Sequence, residues 1–152
     1  MRLRIYTDTS VIGGCEDEEF REHSLGLINS FAKGQFIMVL SDLTLRELDQ
    51  APPAVRAVLT TVPEEFIELL SLTAEADELA SDYIANGILP ETKRADALHI
   101  AIATVAKVDV LVSWNFKHIV NLHRIHGYNA VNLRRGFQML EIRSPLEVLR
   151  DE

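Results

Sequence analysis

Short apolar runs of strand length alternate along this chain with longer amphipathic stretches of helical spacing. The opening LRIYTDTSV alternates and is β-branched, which predicts a strand ending near Asp8. GGCEDEEFREHSLGLINSFAKG begins acidic and then sets Leu25, Ile28 and Phe31 at helical spacing, with Gly34 as a stop. QFIMVLS is continuously apolar, as a strand buried on both faces of a sheet would be. SDLTLRELDQA predicts a helix start, and PPAVRAVLTTV a second helical piece entered through its prolines. EEFIELLSL predicts a third strand, although its pattern also fits a helix.

In the second half, TAEADELASDYIANG places Ala76, Leu79, Ala80 and Tyr83 on one helical face, capped by Thr73 and ended by Asn86-Gly87. ETKRADALHIAIATVAKV is the clearest helix, with Leu98, Ile102 and Val105 as its expected core stripe. VDVLVS predicts a buried strand. NFKHIVNLHRIHG then reads as a short helix closed by Gly127, and YNAVN and FQMLEIR as two last short strands. Ser144-Pro145-Leu146-Glu147 has the pattern of a capping box with proline at the first helical position, so a short helix follows. Strands alternating with helices imply a mostly parallel sheet covered on both faces. The expectation is an α/β fold, a three-layer α/β/α sandwich with four or five strands, in one domain spanning residues 1–152.

Composition narrows the function classes. A chain of 152 residues suits one domain, which at this size buries roughly 70% of its unfolded surface. No apolar run approaches the ~20 residues that cross a bilayer, so no membrane partner is expected. The first residues lack the apolar stretch and cleavage site of a signal peptide. Cys15 is the single cysteine, which excludes a disulfide framework and a cysteine zinc site and points to a reducing, cytoplasmic compartment. The net charge of −8 argues against a simple nucleic-acid coat protein. The charge is segregated, however. Lys93 to Arg143 holds eight Lys/Arg against three Asp/Glu, and the remainder seven against twenty. The basic stretch also carries His99, His118, His123 and His126. It could meet phosphates, though a chance segregation of surface charge explains it equally well.

In open parallel sheets, ligands bind beyond the carboxyl ends of the strands, where strand order reverses. Asp8 ends the first strand, Glu47 follows the second, Asp96 begins the clearest helix, and Ser113 and Asn115 follow VDVLVS. Each has a local role open to it. Asp8 could cap a helix or close a turn. Glu47 has capping-box spacing from Thr44, Asp96 suits a helix dipole, and Asn115 could cap the next helix. Gathered at one edge, the acids would require a counter-charge. Magnesium or manganese, which take oxygen ligands, would supply it.

At these residues the sequence resembles the PIN-domain family, the nuclease fold of toxins in VapBC-type toxin–antitoxin pairs. The matching pieces are YTDTSVIGG, LSDLTLREL, RADALHIAIA and LVSWNFKHIVN. The resemblance implies metal-dependent cleavage of RNA, a homodimer and an antitoxin partner, and it carries over Asp8, Glu47 and Asp96 as acidic site residues. It departs at Asn115, where many PIN domains have an aspartate. Asp8 and Asp96 are then expected as Mg2+ or Mn2+ ligands, with Glu47 a ligand or an orienting base. Asn115 and Ser113 would orient water or complete the shell. Ser113, Lys93, Arg94 and Lys117 would face the RNA, with Arg134 and Arg135 further off. His99, on an apolar helix, is expected to be packed and hydrogen-bonded rather than a ligand, and His118 to be within reach of a phosphate. Trp114 is expected to pack. Helices near Leu25 to Phe31 or Leu79 to Ile84 could form the dimer seam. The competing reading is a PIN fold that has lost cleavage and works by dimerisation or partner capture, which Asn115 and the net acidity favour. A phosphotransfer domain using Asp8 ranks below both, since Ser10 stands where it would place a second aspartate.

Overall fold

A computed structural model of the chain describes residues 1–149. In chain order the elements are β1 (Arg4–Thr7), α1 (Thr9–Gly14), α2 (Arg21–Ala32), β2 (Ile37–Ser41), α3 (Asp42–Asp49), α4 (Pro53–Ala57), β3 (Ile67–Leu70), α5 (Ala74–Ala85), α6 (Arg94–Val105), β4 (Val110–Val112), α7 (Leu122–Arg134), β5 (Ile142–Arg143) and α8 (Pro145–Leu149). The strands pair in the order β3-β2-β1-β4-β5, all parallel.

Strand alternation sorts the side chains into two layers. Tyr6, Val39, Leu111 and Ile142 face one core with Leu79, Tyr83, Ile100 and Tyr128 from α5, α6 and α7. Ile5, Met38, Leu40, Val110 and Val112 face the other, against Val11, Leu27, Phe31 and Leu48 from α1, α2 and α3. The expected α/β/α sandwich is therefore the one that forms. Strand order leaves β1 in the centre, with β2 and β3 on one side and β4 and β5 on the other. The reversal between β1 and β4 opens a crevice at their carboxyl ends. Gly34 stops the helix as expected. It takes a left-handed φ of 75° after α2, and a Cβ there would meet the Phe66 ring at 2.6 Å, so both backbone and space select glycine.

The fold departs from the sequence pattern in the last third. No helix closes at Gly127 and YNAVN is not a strand: α7 runs through both. Gly127 serves close packing instead, since a Cβ there would lie 2.6 Å from the Ile88 side chain. Asn129, buried on α7, donates to the Leu140 carbonyl at 3.1 Å and accepts from its N–H at 2.7 Å. That side chain replaces a strand neighbour, which confines β5 to Ile142–Arg143. The stripe expected on α6 is also too narrow. Ala97, His99, Ile100, Ala101, Ile102, Ala103 and Thr104 are all buried, with Leu98 and Val105 only partly so, as befits a helix packed on nearly every side. Leu79 and Tyr83 are consumed by the core, whereas Leu25 is exposed.

Candidate metal centre

The last hydrogen bond between β1 and β4 delivers the site. Asp8 N–H donates to the Val112 carbonyl at 3.1 Å, which sets Asp8 and Ser113 side by side at the switch point. Asp8 occupies the N-cap position of α1, yet its side chain makes no capping bond. Instead its Oδ2 accepts from the Ser10 and Ser113 hydroxyls at 2.7 and 2.8 Å. Those hydroxyls are fixed in turn, because Trp114 N–H donates to Ser10 Oγ at 3.0 Å and Asn115 N–H to Ser113 Oγ at 2.9 Å. A buried carboxylate relieved of capping and held by two hydroxyls keeps its other oxygen, Oδ1, for the crevice.

Glu47 is released from its own helix in the same way. The capping box of α3 is made by Ser41 and Thr44, not by Thr44 and Glu47. From the second turn of α3, Glu47 Oε1 accepts from the Thr9 hydroxyl at 2.5 Å and lies 2.8 Å from His99 Nε2. His99 is 1% exposed, and its Nδ1 lies 2.7 Å from the Tyr6 hydroxyl. Burial pushes that hydroxyl far above the ordinary tyrosine range, so it stays protonated. With neutral His99, Tyr6 donates to Nδ1 and Nε2–H donates to Glu47. His99 Nε2 is also 3.8 Å from Asp8 Oδ1. The ligand atoms of Asp8, Glu47 and His99 lie within 4.8 Å of one another, so this group could hold a metal ion. His99 is packed and hydrogen-bonded, as its helix position implies, but it belongs to the cluster as well. A signal existed in its spacing, since three residues after Asp96 falls on the same helix face.

Asp96, in the first turn of α6, comes to the same edge. Its Oδ2 is 3.4 Å from Asn115 Nδ2 and 3.8 Å from His118 Nδ1. Asn115 turns its amide group toward Asp96 and spends its Oδ1 on the His118 N–H at 2.9 Å. That bond closes a turn over residues 116–119 rather than capping a helix, since α7 begins later and is capped by Asn121, and the Asn115 oxygen is spent away from Asp96. Lys93 stands beside Asp96 with no hydrogen-bond or ion-pair partner among the described residues. Arg94 turns the other way, bidentate on Glu91 at 3.0 Å and bonded to Ser81 at 3.0 Å. Lys117 is exposed next to His118, whose pKa is held below the ordinary value by burial and by the charges of Arg124, Lys93 and Lys117. Trp114 packs on Phe20 and donates to Ser24. Arg135 is paired with Asp82, well away from the cluster.

The charges push one another's titrations apart. Burial raises the Asp96 pKa, and the neighbouring Asp8 and Glu47 charges add to it despite His99 and Lys93. For Glu47, burial pulls upward, but His99, Thr9 and Arg46 together hold the carboxyl below its usual range. For His99, burial pulls downward, yet the Glu47 hydrogen bond and the Asp8, Glu47 and Asp96 charges win and lift it. The signs follow from linkage. The raised His99 and Asp96 pKa values contribute stability that is present at low pH and fades as pH climbs through the folded values. The lowered Glu47 pKa contributes stability that is lost only in acid. In chelator, the stabilising contribution of His99 to the thermal midpoint is therefore expected to fade as pH rises above the ordinary histidine range, and Glu47→Gln should remove much of that pH dependence. Asp96→Asn should raise the midpoint by a few degrees at neutral pH. Flat pH profiles, or a destabilised Asp96→Asn, would show that the acids do not repel.

With its five-stranded parallel sheet, the chain shares the fold of solved toxins of toxin–antitoxin pairs. No family model and no curated protein matches the sequence. Among solved structures, VapC20 of Mycobacterium tuberculosis, a toxin that cleaves the sarcin-ricin loop, is 15% identical with a TM-score of 0.56. The match covers 75% of this chain and 92% of that one. VapBC2 of Rickettsia felis, bound to a DNA fragment from its promoter, is 12% identical with a TM-score of 0.57, covering 93% and 98%. DNA-bound VapBC of Salmonella typhimurium is 17% identical with a TM-score of 0.55, covering 94% and 98%. Among the described residues, no helix is long and apolar enough to cross a membrane.

Proposed function

We propose that the chain is a divalent-metal-dependent endoribonuclease, the toxin of a toxin–antitoxin pair, with Asp8, Asp96 and Glu47 as its metal-holding residues. One observation carries this reading. Asp8 sits at a helix N-cap but is diverted from capping by two serine hydroxyls, leaving a carboxylate oxygen in one group with Glu47 and His99, with the Asp96 charge acting on it from nearby. The donor set fits Mg2+ or Mn2+, since carboxylate oxygens dominate and no cysteine is near.

A bound ion would polarise a phosphoryl oxygen and acidify a water. The protein's own groups do the rest. Ser10 and Ser113 fix the rotation of the Asp8 carboxylate, and Thr9 and His99 fix that of Glu47. Glu47 Oε2 and Asp96 Oδ1 have no partner among the described residues, so both can accept a proton from a water or hold the ion. Asn115 meets Asp96 with an amide donor where a carboxylate would add repulsion, which favours fewer ions in the pocket. Lys93 and Lys117, without hydrogen-bond or ion-pair partners among the described residues, would meet RNA phosphates. Partner, homodimer and cytoplasmic location are inferred from the resemblance to VapBC assemblies.

The test is incubation of purified protein with RNA and manganese, with and without chelator. Cleavage that needs the metal supports the reading. RNA left intact under all metals tried, together with tight capture of a partner, would favour the binding-module alternative, which the neutral Asn115 supports.

A further inference from the structure

Beside the acidic pocket lies a groove of opposite character. The loop Asn86–Ile88 and the first turns of α7 enclose about 790 Å³. Its lining includes Lys117, His123, Arg124 and His126, and no carboxylate. In a chain with net charge −8 and 23 acids against 15 Lys/Arg, a cavity of that size without an acid is a concentrated cationic surface.

Its groups are prepared for a ligand to different degrees. Arg124 donates to the Ile88 carbonyl and so clamps the loop to α7 while keeping its charge in the wall. Asn121 accepts from Arg124 N–H at 3.2 Å through Oδ1, which leaves its amide N–H groups unspent. Lys117, His123 and His126 have no hydrogen-bond or ion-pair partner among the described residues, and all three are exposed. The groove joins the pocket through one residue. Lys117 is followed by His118, whose Nδ1 is 3.8 Å from Asp96 Oδ2. On the other side of Lys117 is Phe116, 48% exposed and held edge-on by Trp114 with centroids 6.1 Å apart.

We propose that this groove binds the phosphodiester backbone of a single-stranded RNA as it leaves the acidic pocket past Asp96. The inference rests on the nuclease reading of that pocket and adds where the strand runs. Lys117, the Asn121 amide and the imidazole N–H groups meet phosphate oxygens, which positions the strand without reading its sequence. Phe116 offers a ring face to one unpaired base, an arrangement open to a single strand and closed to a stacked duplex.

The experiment is fluorescence anisotropy of a labelled single-stranded RNA with the full chain, in chelator, over a range of salt. Lys117→Glu combined with His123→Glu is expected to weaken binding at least tenfold at low salt. The same variant should flatten the salt dependence, its slope falling by about one for each phosphate no longer neutralised. Lys33→Glu, at the end of α2, should change little. Phe116→Ala should weaken the single strand and leave a duplex unaffected. Unchanged affinity in the double variant, an equal loss at Lys33, or no RNA binding by the unmodified chain would overturn the proposal. So would a polyglutamate peptide that binds through Lys117 and His123 while RNA does not, which would assign the groove to an acidic protein partner. Binding is read without metal, so a chain that binds RNA through this groove but never cuts sinks the nuclease reading alone. A chain that cuts while its double variant binds normally sinks the groove alone.

Discussion

Asp8→Asn is expected to lower RNA cleavage at least about a hundredfold, because even partners that only orient a metal ligand cost 10–100-fold when removed. The fold should survive. Asparagine is nearly isosteric, its oxygen can still accept from Ser10 and Ser113, and no capping bond is lost, since Asp8 makes none. Cleavage of a labelled RNA in manganese, beside thermal melts with and without the ion, separates the possibilities. The unmodified chain should gain stability from manganese by mass action, and the variant should lose that gain while melting no lower in chelator. Ser113→Ala, which frees the carboxylate to rotate, should give a smaller loss of activity within the 10–100-fold range. If Asp8→Asn fails to fold, the aspartate is structural and the proposed centre falls with it.

That Asp8 and Glu47 come together was legible from topology, whereas the third member of their group, His99, reads in sequence as packing, and the expected Asp96 stands outside that group, felt through its charge. A residue that follows the end of a parallel strand, as Asp8 does, or sits early in a helix that leaves or leads back into one, must lie toward the carboxyl edge whatever its side chain does. What could not be read were rotations and partners. Lys93 and Arg94 are neighbours in sequence, yet Lys93 is the non-helical N-cap of α6 and Arg94 its first helical residue. That difference decides that Lys93 stays by Asp96 while Arg94 joins Glu91 and Ser81. Ser10 lies two residues from Asp8, but its hydroxyl bond depends on the Ser113 and Trp114 backbone arriving from over a hundred residues away. The unexpected length of α7 has a similar origin. Glycine usually ends a helix, but Gly127 answers to Ile88 from another element. Asn129 satisfies Leu140 as a strand would, a role invisible to any window of sequence.

His99 gives the second large effect. His99→Ala would open a cavity in a site 1% exposed, leave Tyr6 with Ser41 as its remaining partner, and leave Glu47 with Thr9. Lost packing and a half-buried carboxylate deprived of its donor together cost about 2–4 kcal/mol. At about 2–4 °C per kcal/mol for a chain of this length, the midpoint should drop by roughly 4–16 °C. The more telling variant is His99→Gln, which can still donate to Glu47. Both ring nitrogens already have partners, Tyr6 at 2.7 Å and Glu47 at 2.8 Å, so His99 has no free lone pair while that network stands. It should orient Glu47 rather than bind the ion. His99→Gln is then expected to need 10–100-fold more manganese for the same stabilisation, and to reach it. A midpoint that no concentration of manganese can raise would make His99 a ligand alongside Asp8 and Glu47. That result would move the metal away from Asp96 and onto the buried side of the pocket.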